Sequence, residues 1–181
     1  LAENYFFLQE YGACETYFIK ALQVMEKANE RNIEIYNEFH HGELYNNLGY
    51  LYYICKDYEK GEPAFLKSIE VLSPYVKSNY SLYALNAYFR PLINIAVLYN
   101  DTAKYDQALK YGYEGLEHSQ KLYNYSAEMF YAEYVLILKT LALAENSLGN
   151  ADKAIELIER AIVAEPANAE LKEIKAKFIG E

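Results

Sequence analysis

Residues 43–55 read Glu-Leu-Tyr-Asn-Asn-Leu-Gly-Tyr-Leu-Tyr-Tyr-Ile-Cys, and this stretch decides the fold. Its apolar residues Leu44, Leu48 and Leu51 return at steps of three and four, which is the period of an α-helix. The same step recurs later in the chain, and no stretch of five or more residues alternates cleanly between apolar and polar. The pattern therefore predicts an all-α protein.

Helix-breaking residues divide the chain into nine predicted helices. They stand where periodic segments end, for example at Ser73-Pro74 and Gly149-Asn150. The predicted spans are residues 1–10, 13–30, 33–55, 58–75, 79–101, 104–122, 125–148, 151–164 and 167–179. Pro63 and Pro91 fall inside two of these spans, where the missing backbone donor predicts a kink or a late helix start.

One spacing pattern occurs four times along the chain. A large apolar residue precedes a small one, a mostly aromatic residue follows three positions later, and further small residues follow 12 and 19 positions after the first. The copies are Leu1-Ala2, Tyr5, Cys14, Ala21; Leu48-Gly49, Tyr52, Gly61, Ser68; Ile95-Ala96, Tyr99, Ala108, Gly115; and Leu141-Ala142, Glu145, Ala154, Ala161. Their separations are 47, 47 and 46 residues. Because two helices approach closely only where small residues meet, the constant offset predicts one helix hairpin built four times. Tyr11, Tyr58 and Tyr105 precede the second helix of the first three hairpins and mark their turns.

These residues resemble the tetratricopeptide repeat family, whose pattern is W-x2-L-G-x2-Y, then A-x3-F, then a proline. Residues 45–52 match its first part, with Tyr45 where the family often has tryptophan, and residues 154–166 match its second helix and closing proline. The resemblance implies an all-α fold, a right-handed superhelical solenoid of antiparallel helix hairpins. It also implies a module that binds proteins or peptides and is not an enzyme.

The repeat length departs from the family's usual 34 residues. The extra residues lie between hairpins, which lengthens the two helices that meet there by nearly two turns each. Such long-helix repeats resemble those of bacterial peptide-sensing transcription regulators, which bind a signal peptide in a concave groove. We expect four repeats over residues 1–166, the first truncated at its N-terminus within a larger protein, and a C-terminal capping helix over 167–181. A fifth repeat cut short is the alternative for that last segment.

Groove residues follow from the resemblance, because the first helix of each hairpin lines the concave face. The predicted peptide- or partner-binding residues are Tyr36, Phe39, Glu43, Asn46, Tyr50, Tyr53, Asn86, Arg90, Asn100, Lys139 and Asn146. The same faces also carry Glu3, Phe6, Phe7, His40 and Tyr83. Asparagine amides can hydrogen-bond a peptide backbone, and Arg90 and Lys139 can pair with a carboxylate. Packing between helices is the alternative role of each tyrosine. We expect Asn47 and Asn94 to tie the turn or a neighbouring helix and leave them out of the site.

Composition excludes several other classes of protein. The 181 residues carry 17 Lys and Arg against 26 Asp and Glu, a net charge of −9, which argues against binding to nucleic acid or to an anionic membrane. No metal site, catalytic set or phosphate loop is recognisable, so we expect no cofactor and no metal. His40-His41 is interpreted as a surface pair. Cys14 and Cys55 are expected to be buried free thiols of a cytoplasmic protein. Self-association as a homo-oligomeric scaffold is the alternative function.

Overall fold

The structure is a computed structural model, and it describes residues 2–30, 38–78 and 81–180. Over these ranges the chain forms α-helices and no strand. The helices are α1 (Ala2–Phe7), α2 (Tyr11–Glu30), α3 (Glu38–Ile54), α4 (Tyr58–Ser78), α5 (Leu82–Asp101), α6 (Tyr105–Tyr125), α7 (Ala127–Ser147), α8 (Ala151–Ala164) and α9 (Ala169–Ile179). Consecutive helices pack against each other, for example α3 on α4 and α7 on α8. The predicted all-α helical-repeat fold of the solenoid class is confirmed.

Most helix starts agree with the sequence prediction, and three predicted ends do not, among them that of α6, which ends at Tyr125 and not at residue 122. Helix α1 ends at Phe7 and not at residue 10. The predicted break at Ser73-Pro74 is wrong, because α4 continues through Pro74 to Ser78. Leu72 and Val76 are buried on either side of Pro74, and this packing holds the last turn in place of the lost hydrogen bond. Pro63 and Pro91 likewise lie inside α4 and α5, and neither delays the start of its helix.

Each hairpin turn is closed by a residue in the left-handed region. These residues are Gln9 (φ 59°), Lys56 (φ 60°), Ala103 (φ 57°) and Gly149 (φ 83°). In the second turn, Lys56 N–H donates to the Tyr53 carbonyl and Asp57 N–H donates to the Tyr52 carbonyl, both at 2.9 Å. The equivalent pairs close the other three turns. This is the Schellman ending of a helix, and it repeats with the 47-, 47- and 46-residue spacing of the sequence pattern.

The chain divides into two compact units, unit 1 (Leu1–Pro91) and unit 2 (Leu92–Glu181). In unit 1 the small residues of the pattern lie at close helix contacts. A Cβ atom at Gly49 would come within 2.7 Å of the Phe65 ring, and Ser68 Oγ donates to the Gly42 carbonyl at 2.7 Å. These contacts join α3 to α4, which confirms that the small residues of this copy serve the hairpin.

In unit 2, small residues also lie at close helix contacts, although Gly112 is outside the repeated pattern and brings α6 close to α7 of the next hairpin. A Cβ atom at Gly112 would lie 2.6 Å from the Leu141 side chain, while Ala108 and Ala154 are fully buried. Helix α9 packs against α8 and buries Leu171 completely. The side chain of Asn168 accepts a hydrogen bond from the Leu171 N–H and so caps the first turn of α9.

The two cysteines have different surroundings. Cys14 is a buried free thiol in the core of unit 1, and burial raises its pKa. The prediction that Cys55 is buried is wrong, because it is exposed directly after the end of α3 at Ile54. Its apolar neighbours in the sequence favour a buried position, whereas Cys55 itself lies in the turn after α3. Among the helices of the described ranges, none is long and apolar enough to cross a membrane.

Candidate functional site

A polar cleft in unit 1 brings together several of the predicted groove residues. It has a volume of about 320 Å³ and is lined by side chains of α3 and of the part of α5 before Pro91. The lining residues are His40, Glu43, Leu44, Asn46, Asn47, Ala87 and Arg90. Helical spacing explains the set, since positions 40, 43, 44 and 47 form one stripe along α3.

Glu43 interacts with two neighbouring side chains at the cleft. Tyr83 Oη donates to its Oε2 oxygen at 3.2 Å, and His40 Nδ1 lies 2.8 Å from the same oxygen. Burial and the nearby Glu43 carboxylate raise the pKa of Tyr83, so its hydroxyl remains a neutral donor. Glu43 therefore links α3 to α5 and holds Tyr83 beside the cleft.

Arg90 places a positive charge at the edge of the cleft. Its side chain is exposed, and within the described part of the chain it forms no ion pair. Asn86 lies one turn earlier on the same helix. Its Oδ1 atom is buried and accepts no hydrogen bond from the residues that the structure describes, which is rare for a buried acceptor. This part of α5 thus presents an exposed cation at the cleft, whereas the unsatisfied Asn86 oxygen is buried one turn earlier and Asn86 is not among the residues that line the cleft.

Both asparagines of α3 line the cleft, although the sequence argument placed only Asn46 in the site. Asn46 is only 7% exposed, and its Nδ2 atom lies 3.5 Å from Asn47 Oδ1. Asn47, which the sequence argument left out of the site, is half-buried. Its position seven residues after His40 is the signal that could have identified it.

The predicted aromatic residues of α3 divide into packed and exposed side chains. Phe39 is buried, stacking on Tyr83 at 4.9 Å between ring centroids and meeting Tyr75 edge-on at 5.5 Å. Tyr50 is 39% exposed and stacks on the half-buried Tyr53 at 6.3 Å. Phe39 therefore supports the wall of the cleft, whereas Tyr50 presents a ring at the surface.

The remaining predicted site residues lie elsewhere. Tyr36 falls outside the described residues. In unit 2, Asn100 has a buried Oδ1 atom that accepts no hydrogen bond from described residues, and Asn146 is exposed near the end of α7. Lys139 is engaged within its own unit, because its Nζ atom lies 3.1 Å from Glu170 Oε1 of α9.

The side chains that line the cleft can form ion pairs and hydrogen bonds with a ligand. It combines a guanidinium, a carboxylate, an imidazole and amides, which can pair with the charges and backbone groups of a ligand. Among the described residues, no group of three or more His, Cys, Asp or Glu side chains is arranged to hold a metal ion.

Comparison with known families agrees with the sequence pattern. Residues 42–71 match the family described as tetratricopeptide repeat. The match covers most of α3 and two thirds of α4, and therefore the α3 wall of the cleft. This match, over 30 of the 181 residues, supports a tetratricopeptide repeat at residues 42–71 and a protein–protein interaction module. No curated protein matches the chain.

Proposed function

We propose that the chain binds an extended peptide segment of a partner protein in the cleft between α3 and α5. The observation that carries this proposal is the exposed Arg90 guanidinium beside the amides of Asn46 and Asn47. A guanidinium can pair with a ligand carboxylate in bidentate geometry, and amides can bond both N–H and C=O of a peptide. The predicted groove residues Glu43, Tyr50, Tyr53 and Asn86 belong to the same proposal.

A synthetic library of random acetylated octapeptides tests the proposal. We expect wild type to select peptides that carry an acidic residue. Arg90→Gln should weaken the affinity for the best of them by about tenfold, because a hydrogen bond between charged groups contributes about that factor. Lys172→Gln is the matched control, because it removes the same charge from an exposed site on α9. Equal affinities in wild type and Arg90→Gln would contradict the cleft as the binding site.

Self-association is the second candidate function, and an apolar depression on α2 favours it. It has a volume of about 530 Å³ and is lined by Ala21, Val24, Met25 and Leu44, among others. Val24 is 66% exposed, and exposed apolar surface of this kind commonly mediates association. Light scattering over a range of concentrations tests this function. A dimer that Val24→Glu dissociates would support it, and a monomer at every concentration would rule it out.

The cellular setting is also a proposal. We infer that the chain works in the cytoplasm as the sensor part of a larger bacterial regulator. Its two free thiols suit a reducing compartment, and its long repeats resemble those of peptide-sensing transcription regulators. The coding sequence upstream of Leu1 tests the inference. A helix-turn-helix there would support it, whereas a kinase or further repeats would contradict it.

A further inference from the structure

We propose that an aromatic pocket next to the cleft holds a large apolar side chain of the same bound peptide. This inference rests on the proposed function and adds the class of ligand. The peptide recognised by unit 1 would carry a bulky apolar residue and a carboxylate within about four residues of each other.

The aromatic pocket is lined by Phe6 and Phe7 of α1, Phe18 of α2, and Asn47 and Tyr50 of α3. Its volume of about 240 Å³ lies below the roughly 300–1,000 Å³ of sites that hold a whole small ligand. One side chain of a longer ligand suits this volume better than a complete molecule. Four of the five lining residues are aromatic, so the side chain that suits the pocket is apolar.

The rings that form the aromatic pocket are partly fixed and partly exposed. The Phe6 ring lies 5.9 Å from both the Tyr11 and the Tyr50 rings, measured between centroids, and 6.4 Å from Phe7. In contrast, Phe7 is 82% exposed and Tyr50 is 39% exposed. An incoming side chain would cover these two rings while Phe6 keeps its place, and this covering of apolar area favours binding.

Asn47 lines both the aromatic pocket and the cleft, so one ligand can occupy them together. An extended peptide advances about 3.3 Å per residue and directs alternate side chains to the same face. A peptide whose backbone bonds the Asn47 amide can therefore place one side chain among the rings and a second beside Arg90.

The positive charge of Arg90 favours an acidic side chain at the second position of the ligand. Arg90 is exposed at the cleft edge, and Glu43 already interacts with Tyr83 and His40. A ligand carboxylate next to Arg90 would complete an ion pair, whereas a ligand lysine there would meet a like charge. The expected ligand is thus an acidic peptide with an apolar anchor.

Positional selection from the octapeptide library tests the inference with four variants, namely Phe7→Ala, Tyr50→Ala, Arg90→Gln and Leu8→Ala. We expect wild type to enrich Leu, Ile, Met or Phe at one position and Asp or Glu within about four positions of it. Phe7→Ala should abolish the apolar enrichment, retain the acidic one and weaken the best peptide about tenfold. Arg90→Gln should abolish the acidic enrichment, retain the apolar one and also weaken the best peptide about tenfold. Leu8→Ala is the matched control, since Leu8 is a neighbouring side chain, 66% exposed, outside the aromatic pocket.

The outcomes separate this inference from the proposed function. Apolar enrichment that survives in both Phe7→Ala and Tyr50→Ala would overturn the aromatic pocket, while loss of acidic selection in Arg90→Gln would still uphold the cleft. Binding that none of these substitutions changes, or a library from which wild type selects no peptide, would overturn both.

Discussion

Glu145 is a charged residue in the core of unit 2, at the pattern position where the other three copies have tyrosine. It is 1% exposed. Its carboxylate accepts hydrogen bonds from Tyr113 Oη and from Asn150 Nδ2, and Lys153 Nζ lies 3.4 Å away. Three polar partners therefore compensate for the loss of water around this charge.

These partners make the stability of the protein depend on pH through Glu145. Burial raises its pKa, but the hydrogen bonds from Tyr113 and Asn150 and the Lys153 charge outweigh that effect, so the pKa is lowered. A carboxylate whose pKa is lower in the folded than in the unfolded state stabilises the protein at pH values above the ordinary carboxyl pKa. This stabilisation is lost as the pH falls through the folded-state pKa.

The first prediction concerns Glu145→Gln. We expect it to reduce the free energy of unfolding by about 2 kcal/mol at neutral pH, because hydrogen bonds to a charged acceptor are lost. The difference from wild type should shrink on acidification. Urea unfolding at several pH values measures it, with the exposed Glu173→Gln on α9 as control. A constant difference at every pH would contradict the role of the ionised carboxylate.

The second prediction concerns the left-handed residues of the turns. Ala103 has φ 57° and Gly149 has φ 83° at equivalent positions. Glycine avoids the steric cost that alanine has in this region. We expect Ala103→Gly to raise the free energy of unfolding by about 0.5–1 kcal/mol and Gly149→Ala to lower it by about 1 kcal/mol. Thermal or urea unfolding checks both, and an unchanged free energy of unfolding in both variants would show that the turns tolerate either residue.

At the scale of the element, the hairpin depends on close contact between its two helices. Gly49 of α3 lies against the fully buried Phe65 of α4, and a Cβ atom there would be 2.7 Å from that ring. The Phe65 ring is enclosed by the core, so it cannot move away without cost.

The third prediction follows from this contact. We expect Gly49→Ala to lower the free energy of unfolding by about 1–3 kcal/mol through overpacking. Gly12→Ala is the control, because a Cβ atom at Gly12 of α2 would meet no atom within 4 Å. That substitution should be neutral or stabilise the helix by up to about 1 kcal/mol. If both variants unfolded alike, the close approach at Gly49 would have no energetic role.

The elements were predictable where periodicity and breakers agree, as at Tyr58 and Ala151, where the predicted and observed helix starts coincide. The prediction failed at Pro74, because buried side chains on both sides outweigh the local effect of proline. It failed at Cys55 because apolar neighbours do not reveal that a helix has just ended. Asn47 was missed for a different reason: its seven-residue spacing from His40 places both on one stripe of α3, but the sequence does not show that this stripe borders the cleft.

At the scale of the whole molecule, one repeat length organises both units. The left-handed turn residues, the starts of the second helices and the small residues of the sequence pattern recur at 47, 47 and 46 residues. The recurrence relates the sequence to the fold, and the match of residues 42–71 to the tetratricopeptide repeat family supports an interaction module. The partner was not predictable in the same way, since ligand recognition depends on individual cleft residues and not on the repeated ones.

The central claim is that unit 1 binds an extended peptide between α3 and α5, and a backbone-amide NMR titration tests it most directly. Adding the strongest peptide of the library to isotope-labelled protein should shift amides around Asn47 and Arg90, with smaller changes along α4. Shifts confined to the α2 depression or to α9, or the same shifts with the Arg90→Gln variant at equal affinity, would contradict the account.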